Sequence, residues 1–385
     1  MHTSDVFELL RDGSPRTRAQ LAEAMGLARS TVASRVEVLM RLGLVVPYGD
    51  ARSTGGRPPS LFAMNPSARV VIGVDLGATH AVAAMTDLFG TVLAERQSAL
   101  DIAEGPEVVL AWVTKTVGAL LRDTGRPAGD LAAIGIGLPG PVEHSSGRPI
   151  NPPIMPGWDR YDVPAHVQAT YPVPVLIDND VNIMALGEQR AHLRDVPDLV
   201  FIKVATGIGA GIISDDHLQR GAQGTAGDLG HVRVVRADGV LCRCGNEGCL
   251  EAVAAGPALA ARLREAGIGA SSTQDVVGLV RAGDQDALRV VREAGRDIGE
   301  VVATTVNLLN PSVVVIGGLL ADAGEHLLAG IREVVYRRSL PLATEHLRVV
   351  ASQAGVRAGV LGAASLAIDH ALSPEAIEAA SAGVA

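Results

Sequence analysis

The chain has 385 residues, 48% of them hydrophobic but only 3% aromatic, and a formal net charge of −9. That length calls for two or three domains, with cores built from Ala, Val, Leu and Ile. No apolar run approaches the roughly 18 residues of a membrane span, no basic segment leading into an apolar stretch opens the chain, and three clustered cysteines argue against a disulfide framework, so a cytoplasmic protein is expected.

The charge is uneven. Residues 1–66 hold eight arginines against six acids, a local charge of +2 on an acidic chain, which points weakly to nucleic acid at the N-terminal end. Lysine occurs only at Lys115 and Lys203. That scarcity reads as compositional bias, and neither lysine is assigned a role.

Three short helices are expected first. One runs from about Asp5 to Arg11. A second starts at Thr17, where Thr17-x-x-Gln20 forms a capping box, and stops at Gly26. The third runs from about Arg29 to Leu42 with Val32, Val36, Leu39 and Met40 at helical spacing, although Ala28 is a poor cap for it. Two helices joined by a tight turn match a helix-turn-helix. Burial of the apolar stripe leaves Arg29, Ser30, Thr31, Ser34 and Arg35 outward at the start of the third helix, where a recognition helix meets DNA. Leu44–Val46 and Leu61–Met64 read as paired strands around a wing that carries Arg52 and Arg57, with Arg57 suited to a minor groove. A helical docking domain without DNA is the plainer alternative.

Val70 to Thr79 is a buried strand running into a glycine turn, and Ala81–Met85 is its hairpin partner. Turn amides and the Thr79 hydroxyl suit a phosphate, and Asp75 suits a metal-bound water. A short strand at Val173–Ile177 then leads through Asp178-Asn179-Asp180 into a helix. Carboxylates at such a strand end project into the cleft of an α/β fold. There Asp180 would take a proton from a sugar hydroxyl and Asn179 would orient the sugar; a helix cap is the competing reading.

A second turn of the phosphate type, Thr206-Gly207-Ile208-Gly209, interrupts the β-rich run from Leu199 to Ile213. A third, Gly317-Gly318, follows a strand at Val313–Ile316 and would pass beneath an adenosine. Two such turns in tandem imply duplicated lobes around one cleft, the plan of the actin-like ATPase and sugar kinase fold. All three cysteines, Cys242, Cys244 and Cys249, lie close after His231, a full tetrahedral zinc set of one imidazole and three thiolates. The alternatives are free thiols or a redox pair, and Cys242-Arg243-Cys244 is too tight for an ordinary disulfide.

These residues resemble the ROK family (repressor, open reading frame, kinase), in particular its DNA-binding regulators. The likeness rests on Asp75-Leu76-Gly77-Ala78-Thr79, Gly135-Ile136-Gly137-Leu138-Pro139-Gly140, Asp178-Asn179-Asp180-Val181-Asn182, Ala226-Gly227-Asp228-Leu229-Gly230-His231 and the cysteine segment. It implies a sugar site lined by Asn179, Asp180, Asp228, His231 and Glu251, with Asp180 at the catalytic base of the family's kinases and His231 holding a structural zinc while facing the sugar. The chain departs from the kinase pattern at Ala78-His80 and at Asp228, where kinases carry Gly and Glu.

The expected architecture is α/β: a winged helix-turn-helix over residues 1–66, a first lobe over 67–190 and a second over 191–385, its C-terminal segment packing back toward the first. The expected function is a sugar-responsive regulator, a repressor, binding operator DNA as a homodimer or homotetramer. The rival is an ATP-dependent sugar kinase using Mg²⁺, Asp180 and a nucleotide site of Asp75, Gly77, Thr79, Thr206, Gly207, Gly209 and Gly317. A zinc hydrolase is disfavoured because four protein ligands leave no open position for water.

Overall fold

The computed structural model describes residues 2–50 and 58–384. The head contains α1 (Thr3–Glu8), β1 (Arg16–Thr17), α2 (Arg18–Met25), α3 (Arg29–Arg41), β2 (Val45–Asp50) and β3 (Ser60–Met64). The first helix ends sooner than its apolar spacing suggests, and a turn through Leu9–Asp12 carries the chain to Gly13. Helix α2 begins at the expected capping box: the Thr17 hydroxyl accepts from the Gln20 amide, and the Gln20 side chain accepts from the Thr17 amide. Gly26 ends it in the left-handed conformation. Ala28 gives α3 no side-chain cap, and that helix is held instead by burial of Val32, Val36 and Leu39. Strand β1 was not anticipated. It pairs with β3, so the wing sheet has the order β1-β3-β2. Arg52 and Arg57, expected on the wing, lie outside the described residues.

The first lobe is built from β4 (Val70–Leu76), β5 (His80–Asp87), β6 (Val92–Ala99), α4 (Pro106–Asp123), β7 (Leu131–Leu138), the small pair β8 (Val142–Glu143) and β9 (Arg148–Pro149), α5 (Val163–Gln168), β10 (Val175–Asn179) and α6 (Asp180–His192). Its sheet order is β10-β7-β4-β5-β6. Every residue of β4 is buried, as a central strand covered on both faces requires. The strand expected at Val173 starts two residues later, after Pro174, which has no amide hydrogen for a ladder.

The second lobe comprises β11 (Leu199–Val204), β12 (Ile208–Ser214), β13 (His217–Leu218), α7 (Glu251–Ala254), α8 (Gly256–Glu265), α9 (Thr273–Arg281), α10 (Gln285–Leu309), β14 (Val313–Gly317), α11 (Glu325–Arg338), α12 (Pro341–Thr344) and β15 (Arg348–Ala351). Its sheet order is β13-β12-β11-β14-β15. Side chains alternate across β11. Val200, Ile202 and Val204 join a core with α10, while Leu199 and Phe201 pack with Val181, Met184 and Ala185 of α6.

The chain ends with α13 (Ala358–Ala371) and α14 (Pro374–Ala382). Helix α13 lies on the first-lobe sheet, not on the second. Gly73 and Gly135, neighbours across β4 and β7, make the approach possible. A Cβ at Gly73 would stand 2.3 Å from the Val360 carbonyl, and one at Gly135 would stand 2.0 Å from that of Ala363. The same helix crosses α6 where Gly187 faces the Ala358 carbonyl and Gly362 faces that of Ile183. Its far end and α14 enter the core of the head, because Leu372, which ends α13, and Ile377 of α14 share one cluster with Val6, Phe7 and Leu39. Helix α14 is therefore the seat of the head: the Ser4 amide donates to Glu378 at 2.7 Å. No helix among the described residues is long and apolar enough to cross a membrane.

Candidate functional site

The N-terminus of α6 is the meeting point of both lobes. Strand β10 delivers Asp178-Asn179 there, and Asn179 caps the helix by accepting from the Val181 amide at 2.9 Å. The Asn179 Nδ2 also donates to the Gly140 carbonyl at 2.9 Å, so one amide hydrogen is left for a ligand. Asp178 is a structural anchor: it accepts from Asn182 at 2.7 Å and from Arg220 at 2.7 Å. Asp180 is the first helical residue and is buried, and its carboxylate is bonded by the ammonium of Lys203 from β11.

Lys203 is the residue that sequence reading missed. The available signal was a lone lysine in an otherwise apolar strand, Leu199–Val204, ahead of a Thr-Gly-x-Gly turn. Burial pushes its pKa down, but the charges of Asp180, Asp75 and Glu251 outweigh burial and hold the ammonium above the ordinary lysine value.

The glycines singled out for a nucleotide are each accounted for by a side chain of this protein. A Cβ at Gly77 would collide with the His80 ring at 2.0 Å, and at Gly317 with the Phe201 ring at 2.3 Å. At Gly209 it would press on Val181 at 3.2 Å. At Gly207 it would stand 2.7 Å from the Glu251 carboxylate, whose Oε2 accepts from the Ile208 amide at 2.9 Å. The second turn thus has one amide already bonded to an internal anion. Ala78 does not have positive φ, so its methyl imposes no strain; the crowding of the first turn comes from His80, whose Nε2 lies 3.8 Å from Asp75. Asp75 is buried, and Thr79 and Thr206 are exposed.

Asp228, His231 and Glu251 gather on the second-lobe side. Gly227 at φ +95° and Gly230 fold this segment against β12, where a Cβ would meet the Ala210 and Ile208 carbonyls at 1.9 and 2.3 Å. The His231 ring then turns its Nε2 toward Asp228, 3.9 Å away, and its Nδ1 toward Cys242, 3.7 Å away.

His231, Cys242, Cys244 and Cys249 offer four ligand atoms within 4.8 Å of one another. The Cys244–Cys249 sulfur separation is 3.7 Å, matching the edge of about 3.8 Å that a tetrahedron with zinc–sulfur bonds of about 2.3 Å would have. Gly245 at φ +90° and Gly248 at φ +86° make the tight turns between the cysteines. Burial, then the neighbouring thiols Cys244 and Cys242, push the Cys249 thiol up to about 12, and burial raises Cys242 as well. Three thiolates this close need a cation, and the donor set fits a metal.

In the head, Arg29, Ser30, Thr31 and Ser34 are exposed along the first turns of α3, and Arg35 is half-buried. Arg18 stacks on the Phe62 ring at 4.9 Å from its centroid, fixing α2 to the wing sheet.

The ROK family profile matches residues 71–370, and an IclR-type helix-turn-helix profile matches residues 2–47. The chain belongs to the ROK family. It is 30% identical to the xylose repressor of Caldicellulosiruptor bescii over 96% of this chain and 95% of that one. The crystal structure of a ROK family transcriptional regulator, a homologue of the E. coli MLC protein, superposes with a TM-score of 0.83 at 26% identity, covering 99% of this chain and 98% of the other. A ROK family glucokinase from Streptomyces griseus, solved with glucose and AMPPNP, covers 77% of this chain and 98% of its own at 31% identity and a TM-score of 0.65. The architecture of a helix-turn-helix head on a ROK α/β body is thus that of the family's regulators.

Proposed function

We propose that the protein is a sugar-responsive transcriptional repressor. The observation that carries this reading is the path of α13. Its first turn abuts the cleft, where a Cβ at Gly359 would lie 2.2 Å from the Asp75 carboxylate. About 21 Å further on, the length of 14 helical residues, its last turn is bonded to the head.

The outer face of α3, with Arg29, Ser30, Thr31 and Ser34 exposed and Arg35 half-buried, enters the major groove of operator DNA, and Arg57 is assigned to the adjacent minor groove. One such helix covers a half-site, so the active species is a homodimer or homotetramer. The sugar binds at the N-terminus of α6, where Asn179, Asp180, Asp228, His231 and Glu251 supply donors and acceptors for its hydroxyls. Lobe closure on the sugar alters the spacing of the paired heads. The sugar shifts this equilibrium only through its different affinity for the two arrangements.

Zinc held by His231, Cys242, Cys244 and Cys249 is structural in this reading, since four protein ligands leave no open position. It fixes the His231 tautomer and so sets which ring nitrogen faces the sugar.

Genome-wide mapping of bound DNA tests the proposal. Discrete sites beside sugar-utilisation genes, reproduced by retention of the same duplexes on the purified protein, support it. Intact protein that retains no duplex from the mapped set counts against it. The kinase alternative has the placement of Asp180 in its favour and the bonding of Asp180 to Lys203 against it. A coupled ADP-release assay with pentoses, hexoses and amino sugars separates the two, and no turnover is expected.

A further inference from the structure

Lys203 is one of two lysines in the chain. The alternation of β11 turns it to the same side as Leu199 and Phe201, toward α6. Its side chain is 19% exposed and that of Asp180 is 6% exposed. A cation this far out of water persists only with counter-charge. Asp180 supplies it directly, and Asp75 and Glu251 are near enough to stabilise the ammonium.

ATP-dependent phosphoryl transfer to a sugar requires two things of such a site. A carboxylate must accept the hydroxyl proton, and a divalent cation must bridge the phosphates while held by protein carboxylates. Both functions meet the same obstacle. Asp180 Oδ2 already accepts from an ammonium. A fixed positive charge among Asp75, Asp180 and Glu251 also repels a divalent ion from the space between them. The carboxylates therefore do not fit a magnesium ion as they stand. The phosphate side is narrowed in parallel by the His80 ring over Gly77 and by Glu251 on the Ile208 amide.

We propose that Lys203 is the resident cation of the cleft, an ammonium standing where a sugar-phosphorylating relative would hold its metal, so that an uncharged sugar is bound without metal or ATP and released unmodified. Lys203 thereby separates recognition from phosphorylation. The proposal deepens the receptor reading and rests on it only for the identity of the ligand.

Mn²⁺ is the probe, followed by electron paramagnetic resonance of the free ion during titration of full-length, zinc-replete protein. The wild type and K203R are expected to take up no Mn²⁺ at the cleft. K203M is expected to gain one site per chain, bound about tenfold or more tightly than anything in the wild type, and K203M/D180N to lose it. Uptake by the wild type that equals K203M, or a wild-type site that D180N removes, would overturn the proposal. Folding of K203M is read from its zinc content and thermal unfolding. Should it fail to fold, the wild type decides alone: a D75N- or D180N-sensitive Mn²⁺ site refutes the proposal, and no such site at millimolar Mn²⁺ meets it. Operator binding is not read here, so a protein indifferent to every sugar would sink the receptor reading and leave this comparison standing.

Discussion

Arg11 in the head and Asp369 near the end of α13 form an ion pair of 3.2 Å, and the same carboxylate accepts from Arg190 near the end of α6 at 2.9 Å. Both body helices therefore converge on one carboxylate beneath the head. The opposite end of α6 carries Asp180, and the opposite end of α13 abuts Asp75. Two rigid rods link the cleft to the DNA-binding element, which is the kind of contiguous connection that coupling between sites can use.

Replacing Asp369 tests this connection. D369N keeps the shape of the side chain and removes the charge. Its partners are partly exposed, so each pair contributes little to stability. The expected result is unchanged sugar affinity and thermal stability, with the sugar-induced change in operator affinity reduced about twofold to fivefold. Parallel sugar titrations and DNA-binding isotherms on the wild type and the variant check it.

The crossing of α6 and α13 leaves no room for a side chain. A Cβ at Gly187 would stand 1.9 Å from the Ala358 carbonyl, and one at Gly362 would stand 1.6 Å from that of Ile183. Both contacts are to backbone, which cannot rotate aside. G187A and G362A are each expected to destabilise the body by about 1–3 kcal/mol or more, the usual cost of overpacking, measured by urea unfolding. Alanine at Gly278, where nothing lies within 4 Å, serves as the control and is expected to be neutral or stabilising in its helix.

Metal loading carries a pH signature. Cys242 and Cys249 are held above the ordinary thiol range when no cation is present, so both are protonated at neutral pH. Zinc takes thiolates. Loading the site is therefore expected to release about two or more protons and to tighten as pH rises through neutrality. Calorimetry in two buffers of different ionisation enthalpy reads the proton count. C249S is expected to lose the zinc, to loosen residues 231–251 and to weaken sugar binding through His231, while the isolated DNA affinity of the head remains.

Much of the head was legible because its signals are local. Thr17-x-x-Gln20 states a helix start in four residues, and Val32, Val36 and Leu39 state a buried stripe within two turns. The cysteine cluster was legible for the same reason. What escaped is non-local. Strand β1 is two residues long and exists only because β3 is there to pair with it. Helix α13 is rich in Ala and Gly and buried on two sides, against a sheet and against α6, so no single apolar stripe marks its role. The bond between Glu251 and the Ile208 amide spans 43 residues of sequence. Lys203 was visible as an oddity of composition, but its meaning needed Asp180 and Asp75 from the other lobe and Glu251 from 48 residues further along its own.

Within the head, the exposed start of α3 and the capping of α2 separate affinity from stability. R29A is expected to leave unfolding unchanged, to weaken operator binding and, if Arg29 meets a phosphate, to reduce the slope of affinity against salt by about 1. T17A removes the hydroxyl that accepts from Gln20 and is expected to lower head stability by about 1 kcal/mol with little change in the salt slope. Thermal melts paired with salt-dependent binding isotherms distinguish the two classes.

The central claim is that a sugar in the cleft at the start of α6 governs the grip of the head on DNA. It is tested most directly by the operator affinity of zinc-replete protein across a panel of neutral pentoses, hexoses and N-acetyl sugars, beginning with xylose, in the wild type and in D180N. The account predicts that at least one sugar weakens operator binding of the wild type about fivefold or more, without ATP or Mg²⁺, and that D180N loses the response while still binding the operator. An operator affinity that no sugar changes, or a response that D180N retains in full, would contradict it.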